Sequence, residues 1–190
     1  MNIRRYETKS HFPGRYGWVP DMWVLHNTST AGIRSPHNTF INSQNQVSAH
    51  FLIGMDGEIR QYVDIRDGAW CNGTSTNPKK HSYYGNSLSQ YIRDRETNAN
   101  YYTLSIEFVG ATRAPLTLSQ EEAAVELITE VNKDLKKIYG KGVPVDREHI
   151  IGHYQVNPRN KGTCGVGIDY DNLIRLLQVE QTSARIFQEA

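Results

Sequence analysis

Apolar and polar positions change period several times along this chain, and each change marks an element. Residues 22 to 27, MWVLHN, form a short apolar run that closes on polar residues. A run of that length reads as a buried strand through Leu25, with His26 at its end. STAGIRSPHNTFINSQ follows as a loop and then a modest helix from near Ser35-Pro36, where proline suits the first helical position. Residues 47 to 63, VSAHFLIGMDGEIRQYV, set two apolar stretches around Met55-Asp56-Gly57-Glu58. Asp-Gly is a favoured hairpin turn, so a β-hairpin is expected. Residues 64 to 100 are polar and weakly periodic, with one helix expected from about Ser87 to Arg95, capped by Asn86. YYTLSIEFVG, 101 to 110, reads as a strand.

The clearest helix covers residues 119 to 139. Ala124, Val125, Leu127, Ile128, Val131, Leu135 and Ile138 recur at helical spacing. Ser119 and Glu122 have the spacing of a capping box. Lys136 and Lys137 lie in the last turn, where the helix dipole favours cations, and Gly140 supplies the stop. A short strand at His149 to Gly152 leads into GHYQVNPRNKGTCG, 152 to 165, and a final helix starts near Asp171. Strands and helices that interleave around a hairpin predict an α/β fold, with a central mixed β-sheet flanked by helices. At 190 residues a single domain is expected, residues 1 to 180, with 181 to 190 as a tail or the start of a linker.

Composition narrows the function classes. Lys+Arg 21 against Asp+Glu 20 leaves a net charge of +1, with no broad footprint for nucleic acid or anionic lipid. No apolar run approaches the ~18 residues of a membrane helix, so no membrane insertion is expected. MNIRRYETKSHF has early positive charge but no apolar stretch behind it, so synthesis in the cytoplasm without a secretory signal is expected. Two cysteines make no disulfide framework. Eleven Tyr and three Trp suit a surface that meets sugars or peptides.

The stretch at 152 to 165 is polar and nearly free of core residues, so it is either a connection or a site. His26, at a strand end, and His153 and Cys164, in one loop, are donor types that zinc accepts. No short metal motif such as CxxC or HExxH is present, and His37, His50, His81 and His149 fit equally by type. Cys164 with His153 could instead form a nucleophilic pair. A Cys71–Cys164 disulfide is a third reading, which a cytoplasmic origin disfavours. Glu107 sits among Leu104, Ile106, Phe108 and Val109, so its carboxylate faces either a cleft or solvent. Lys161, three residues before Cys164, could stabilise an oxyanion or simply be solvated.

Together these pieces resemble the type 2 N-acetylmuramoyl-L-alanine amidases, the zinc amidase fold shared with phage amidases and peptidoglycan recognition proteins. The matching stretches are VLHNTS (24–29), VSAHFLIGMDGEIRQYV (47–63), GAW (68–70), LSIEFVG (104–110) and GHYQVNPRNKGTC (152–164), in the family's order over most of the chain. The resemblance implies Zn2+ held by His26, His153 and Cys164, Glu107 acting on the catalytic water, and Lys161 beside the developing oxyanion. It implies hydrolysis of the amide between N-acetylmuramic acid and L-alanine in cell-wall peptidoglycan. Some relatives use a Tyr in the stretch matching SAHF, where this chain has Ala49, which gives Glu107 more weight. His50 beside it reads as a supporting residue.

Three departures stand out. The family's Cys-Pro-Gly or Asp-Pro-Gly is replaced by Cys164-Gly165-Val166-Gly167. Its Ala-Trp-His becomes Ala69-Trp70-Cys71, and residues 74 to 100 have no counterpart. A non-catalytic peptidoglycan-binding module of the same fold is the alternative, although such modules typically lack the third zinc ligand. An endolysin released to the wall through a membrane lesion is preferred over a cytoplasmic recycling amidase, and the oligomeric state is left open.

Overall fold

A computed structural model describes residues 1–189, and side chains through residue 183. Its centre is a mixed sheet of six strands: β1 (Ile3–Arg5), β3 (Met22–Asn27), β4 (Phe51–Ile53), β5 (Ile59–Gln61), β7 (Thr103–Phe108) and β8 (Ile150–Gly152). They lie in the order β1-β5-β4-β7-β3-β8. Strands β4, β7, β3 and β8 run parallel, and β5 turns back antiparallel to β4 through the expected hairpin. Gly54 and Gly57 close that turn, with the Gly57 N–H on the Gly54 carbonyl. Two short strands, β2 (His11–Phe12) and β6 (Gly68–Ala69), form a separate antiparallel pair. The sheet bears out the expected α/β class.

All six residues of β3 are buried, as suits a strand covered on both faces. Trp23 and Leu25 join the core beneath helices α3 (Leu118–Tyr139) and α6 (Tyr170–Glu189). Met22 and Val24 point the other way, into a smaller cluster with Ile92, Ala99, Tyr102 and Val156. Strand β7 alternates the same way. Leu104, Ile106 and Phe108 enter the helix-side core, which puts Thr103, Ser105 and Glu107 on the opposite face. Helix α1 (Arg34–Ile41) seats Phe40 in a third cluster with Leu52, Tyr62 and Val63.

Three expectations need correction. The capping box of α3 is Thr117 with Gln120, not Ser119 with Glu122. The Thr117 hydroxyl accepts from the Gln120 N–H at 3.1 Å, while the Gln120 carbonyl oxygen accepts from the Thr117 N–H. The start moves upstream because the buried Gln120 amide also donates to the Val109 carbonyl at 2.8 Å, which ties the first turn to the sheet. Helix α2 (Gln90–Arg95) starts after Ser89 rather than Asn86, because Tyr84–Asn86 forms its own 3-10 turn. The stretch 152 to 165 is not an open loop. It holds α4 (His153–Val156) and α5 (Pro158–Lys161). Helix α6 continues through residue 189 along the segment read as a tail, and residue 190 lies outside the described residues.

Leu127 is fully buried at the α3–sheet contact. Leu127→Ala should lower stability by about 2–5 kcal/mol, because the methyl groups it removes leave a cavity in a packed layer. Urea unfolding at unchanged slope checks this, and a loss near zero would mean the helix-side core is not the main support of the sheet.

Candidate metal centre

The chemistry collects at the C-terminal ends of three parallel strands, where open α/β sheets place their ligand crevices. His26 is the penultimate residue of β3, Glu107 stands beside it in register on β7, and His153 follows β8 directly. Cys164 arrives from the far side of α5. Its backbone N–H donates to the Lys161 carbonyl, and its carbonyl accepts from the Tyr154 N–H. A cleft of about 370 Å³ opens above these groups, with Trp70, Asn27 and Lys161 on its walls.

His26, His153 and Cys164 each offer one donor atom within 4.8 Å of the others. The His26 and His153 rings meet edge to face at 4.4 Å. Cys164 Sγ lies 3.6 Å from His26 Nδ1. Bond lengths of about 2.3 Å to sulfur and 2.0–2.1 Å to nitrogen give a tetrahedral edge of roughly 3.6 Å, so this separation fits one shared ion. Glu107 Oε1 is 3.7 Å from the same Nδ1. Among the described residues one other cluster of this type occurs, Asp146, Glu148 and His149. There Asp146 Oδ1 accepts from the ring and backbone of His149, as in an ordinary turn.

Burial sets the charge state of the triangle. It pushes the His26 imidazole down to about 3, with Lys161 adding to the effect against the Asn72 hydrogen bond. His153 is held well below the usual histidine range by burial, then by His26 and Lys161. Both rings are therefore neutral and have lone pairs to give. The Cys164 thiol is raised to about 11 by burial and by Glu107, opposed by the Asn27 backbone N–H and by Lys161. The Glu107 carboxyl is raised to about 8 by burial, opposed by Lys161. A pocket of neutral donors with two ionisable acids is what a divalent cation would complete, since its charge draws protons off the thiol and the carboxyl.

The other candidates disperse. His50 is locked by Ser105 at 2.9 Å and the Asp67 carbonyl at 3.0 Å, beside buried Arg15, so it supports the fold as expected. His37 bonds the Tyr62 hydroxyl, and His81 is exposed. Cys71 and Cys164 are both free thiols, which removes the disulfide reading. Glu107 faces the cleft rather than solvent, with 16% of its side chain exposed. Lys161 is exposed at the end of α5, on the cleft wall.

Two asparagines were missed. Asn72 Oδ1 lies 2.8 Å from His26 Nε2. Asn27 lines the cleft beside Cys164, and its buried Oδ1 has no partner among the described residues. Both adjoin residues that the pattern singled out, but an Asn beside a His carries no periodic signal of its own.

A sequence model of the family described as N-acetylmuramoyl-L-alanine amidase matches residues 16–165. The 1,6-anhydro-N-acetylmuramyl-L-alanine amidase AmpD of Haemophilus influenzae is 29% identical over 131 residues, 69% of this chain and 59% of that protein. The chain thus spans less than two thirds of the length of that relative. A crystal structure of a Se-Met AmpD derivative superposes with a TM-score of 0.66 at 21% identity, covering 92% of this chain and 94% of that one. The N-acetylmuramoyl-L-alanine amidase LysC from Clostridium intestinale shares the fold at a TM-score of 0.56 and 15% identity, covering 94% and 98%.

The buried carboxyl has a measurable signature in metal-free protein. Its pKa is higher folded than unfolded, so its contribution to stability is complete below about 4.5 and is lost as pH rises through about 8. Metal-free Glu107→Gln should match the wild type at the acid end of that window and exceed it increasingly toward pH 8. Denaturant midpoints in chelator read this, and a stability difference independent of pH would mean Glu107 is not buried as described.

Proposed function

Because the chain belongs to the N-acetylmuramoyl-L-alanine amidase family, we propose that it hydrolyses the amide between the lactyl group of N-acetylmuramic acid and L-alanine in peptidoglycan. The observation that carries this reading is the donor triangle of His26, His153 and Cys164 with Glu107 Oε1 3.7 Å from His26 Nδ1. Two histidines and a thiolate are a zinc donor set that leaves a position open for water or substrate. Held by His26, His153 and Cys164, a zinc ion would supply the Lewis acidity that acidifies water and polarises the scissile carbonyl.

The residues of the chain do the rest. Glu107 takes the proton from the attacking water and returns it to the leaving amine. It ionises more readily with positive charge nearby, as it already does beside Lys161. Lys161 offsets the negative charge that grows on the carbonyl oxygen as the tetrahedral centre forms. Its exposed position on α5 lets the side chain swing over bound substrate. Trp70 and the other cleft walls hold the glycan and peptide on either side of the bond. Cell-wall peptidoglycan is the proposed partner, and the endolysin role is supported by endolysins among the structures that share the fold. A 1,6-anhydro fragment as substrate is a second reading, favoured by the name of the Haemophilus relative.

Purified protein should release free amino groups from cell walls without new reducing ends, and lose that activity in chelator until zinc is restored. Reducing ends would mean a glycosidase, and activity that survives chelator would mean the Cys164–His153 pair acts as a nucleophile. Running intact walls beside 1,6-anhydro fragments decides between the two substrates. Glu107→Ala should abolish turnover with zinc still bound, whereas Cys164→Ser should lower zinc content itself. Lys161→Met should lower kcat by about 10²–10³-fold, the usual effect of removing one oxyanion partner. Full turnover in either the Glu107 or the Lys161 variant would remove that residue from the mechanism.

A further inference from the structure

We propose that Asn72 is a positioning residue for His26, and that the segment from Asn72 to Asn100 braces the metal centre from behind. This rests on reading His26, His153 and Cys164 as metal ligands. Metal-bound histidines commonly give their second ring N–H to a partner that fixes tautomer and orientation. Here the partner is a neutral amide at the start of the polar segment from Asn72 to Asn100.

The argument begins one residue further back. The Thr103 hydroxyl donates to the Ala99 carbonyl at 2.7 Å. Its proton is therefore spent, and it accepts from Asn72 Nδ2 at 2.8 Å. With Nδ2 facing Thr103, the Asn72 carbonyl oxygen must be the atom 2.8 Å from His26 Nε2. A carbonyl can only accept, so Nε2 carries the hydrogen and Nδ1 keeps its lone pair. That lone pair lies on the side of Cys164 Sγ, at 3.6 Å. One hydroxyl thus sets the tautomer of His26 through one amide. Thr103, Asn72 and His26 are all buried, so water does not compete for these bonds.

The same segment is laced shut at its ends. The Asn72 N–H donates to Asn100 Oδ1 at 2.7 Å. The Thr74 hydroxyl donates to the Thr97 carbonyl and accepts from the Ala99 N–H. Its middle reaches the second histidine. The Ser87 hydroxyl and the Leu88 N–H both donate to the Gln155 carbonyl, at 2.7 and 2.8 Å, two residues after His153 in α4. The side chain of Gln155 in turn accepts from the Gly152 N–H, just before His153. Residues 72 to 100 therefore hold β3 and α4 in one frame and keep the two rings facing.

The test reads the ligand, not turnover. In metal-free wild type, imidazole nitrogen NMR should show His26 as the Nε2–H tautomer. Asn72→Ala should bind zinc about 10–100-fold more weakly in competition with a chromophoric chelator, with an unchanged far-ultraviolet circular dichroism spectrum. Asn72→Asp, which accepts the same N–H, should restore affinity to within a few-fold of wild type. A merely structural Asn72 would not be rescued by a buried carboxylate. An Nδ1–H tautomer in the wild type, or wild-type zinc affinity in folded Asn72→Ala, overturns the inference. If Asn72→Ala does not fold, the tautomer and the Asn72→Asp affinity decide. A wild type that binds no zinc overturns the metal reading, and this inference with it. A wild type that binds zinc with Asn72 indifferent overturns this inference alone.

Discussion

Strand β3 lies between β7 and β8, and its register with β7 sets the position of every chemical group in the cleft. Leu25 faces Ile106 and His26 faces Glu107. Because side chains alternate, Leu25 and Ile106 enter the helix-side core while His26 and Glu107 come out together on the other face. Slipping β3 by one residue against β7 would turn His26 under α3 and α6 and away from Glu107. The apolar packing of Trp23, Leu25, Leu104 and Ile106 is thus what holds Glu107 beside His26. The site needs no special backbone at these two positions, only a sheet that cannot slide.

Much of this was legible in the sequence, for a physical reason. Buried strands and an amphipathic helix are repetitive, so MWVLHN, the Asp-Gly hairpin and the stripe from Ala124 to Ile138 all declared themselves. The three candidate ligands were legible one at a time as residue types, and the family resemblance joined them. What periodicity could not reveal was direction and tertiary anchoring. Glu107 in LSIEFVG alternates correctly for either solvent or cleft, and only the cover over its face decides. The start of α3 was misplaced because Gln120, besides closing the capping box with Thr117, donates to the Val109 carbonyl across the fold. Outside the helix expected near Ser87 to Arg95, residues 72 to 100 gave no pattern because their order comes from side chains bonding to backbone, as at Thr74, Ser87 and Asn100, which leaves no hydrophobic rhythm.

Electrostatics ties the remaining parts together. Burial is the largest influence holding four ionisable groups in their neutral forms, and Lys161 is the cation that recurs among the influences on all four. Its charge opposes protonation of the histidines and favours ionisation of Glu107 and Cys164. Lys161 therefore prepares the triangle for a cation by keeping the imidazole lone pairs free and easing the thiol toward thiolate. The Asn27 backbone N–H favours the thiolate in the same direction. None of these groups forms a tight ion pair that a metal would have to break.

The loop that delivers Cys164 accounts for the departure at residues 165 to 167. Gly165 has φ +85°, and a Cβ there would sit 2.6 Å from the Leu25 carbonyl and 2.9 Å from the Tyr170 hydroxyl. Proline locks φ near −65°, so the Pro expected after the third ligand cannot occupy this backbone. The Gly165 carbonyl accepts from Tyr170 at 2.9 Å, which anchors the loop to the first turn of α6. Two residues on, a Cβ at Gly167 would lie 2.1 Å from the Arg113 carbonyl, so the chain after β7 passes directly against this loop. The two glycines let the loop press onto β3 at Leu25 and onto the segment after β7 at once. That contact brings Cys164 up to His26, so that its sulfur lies 3.6 Å from Nδ1.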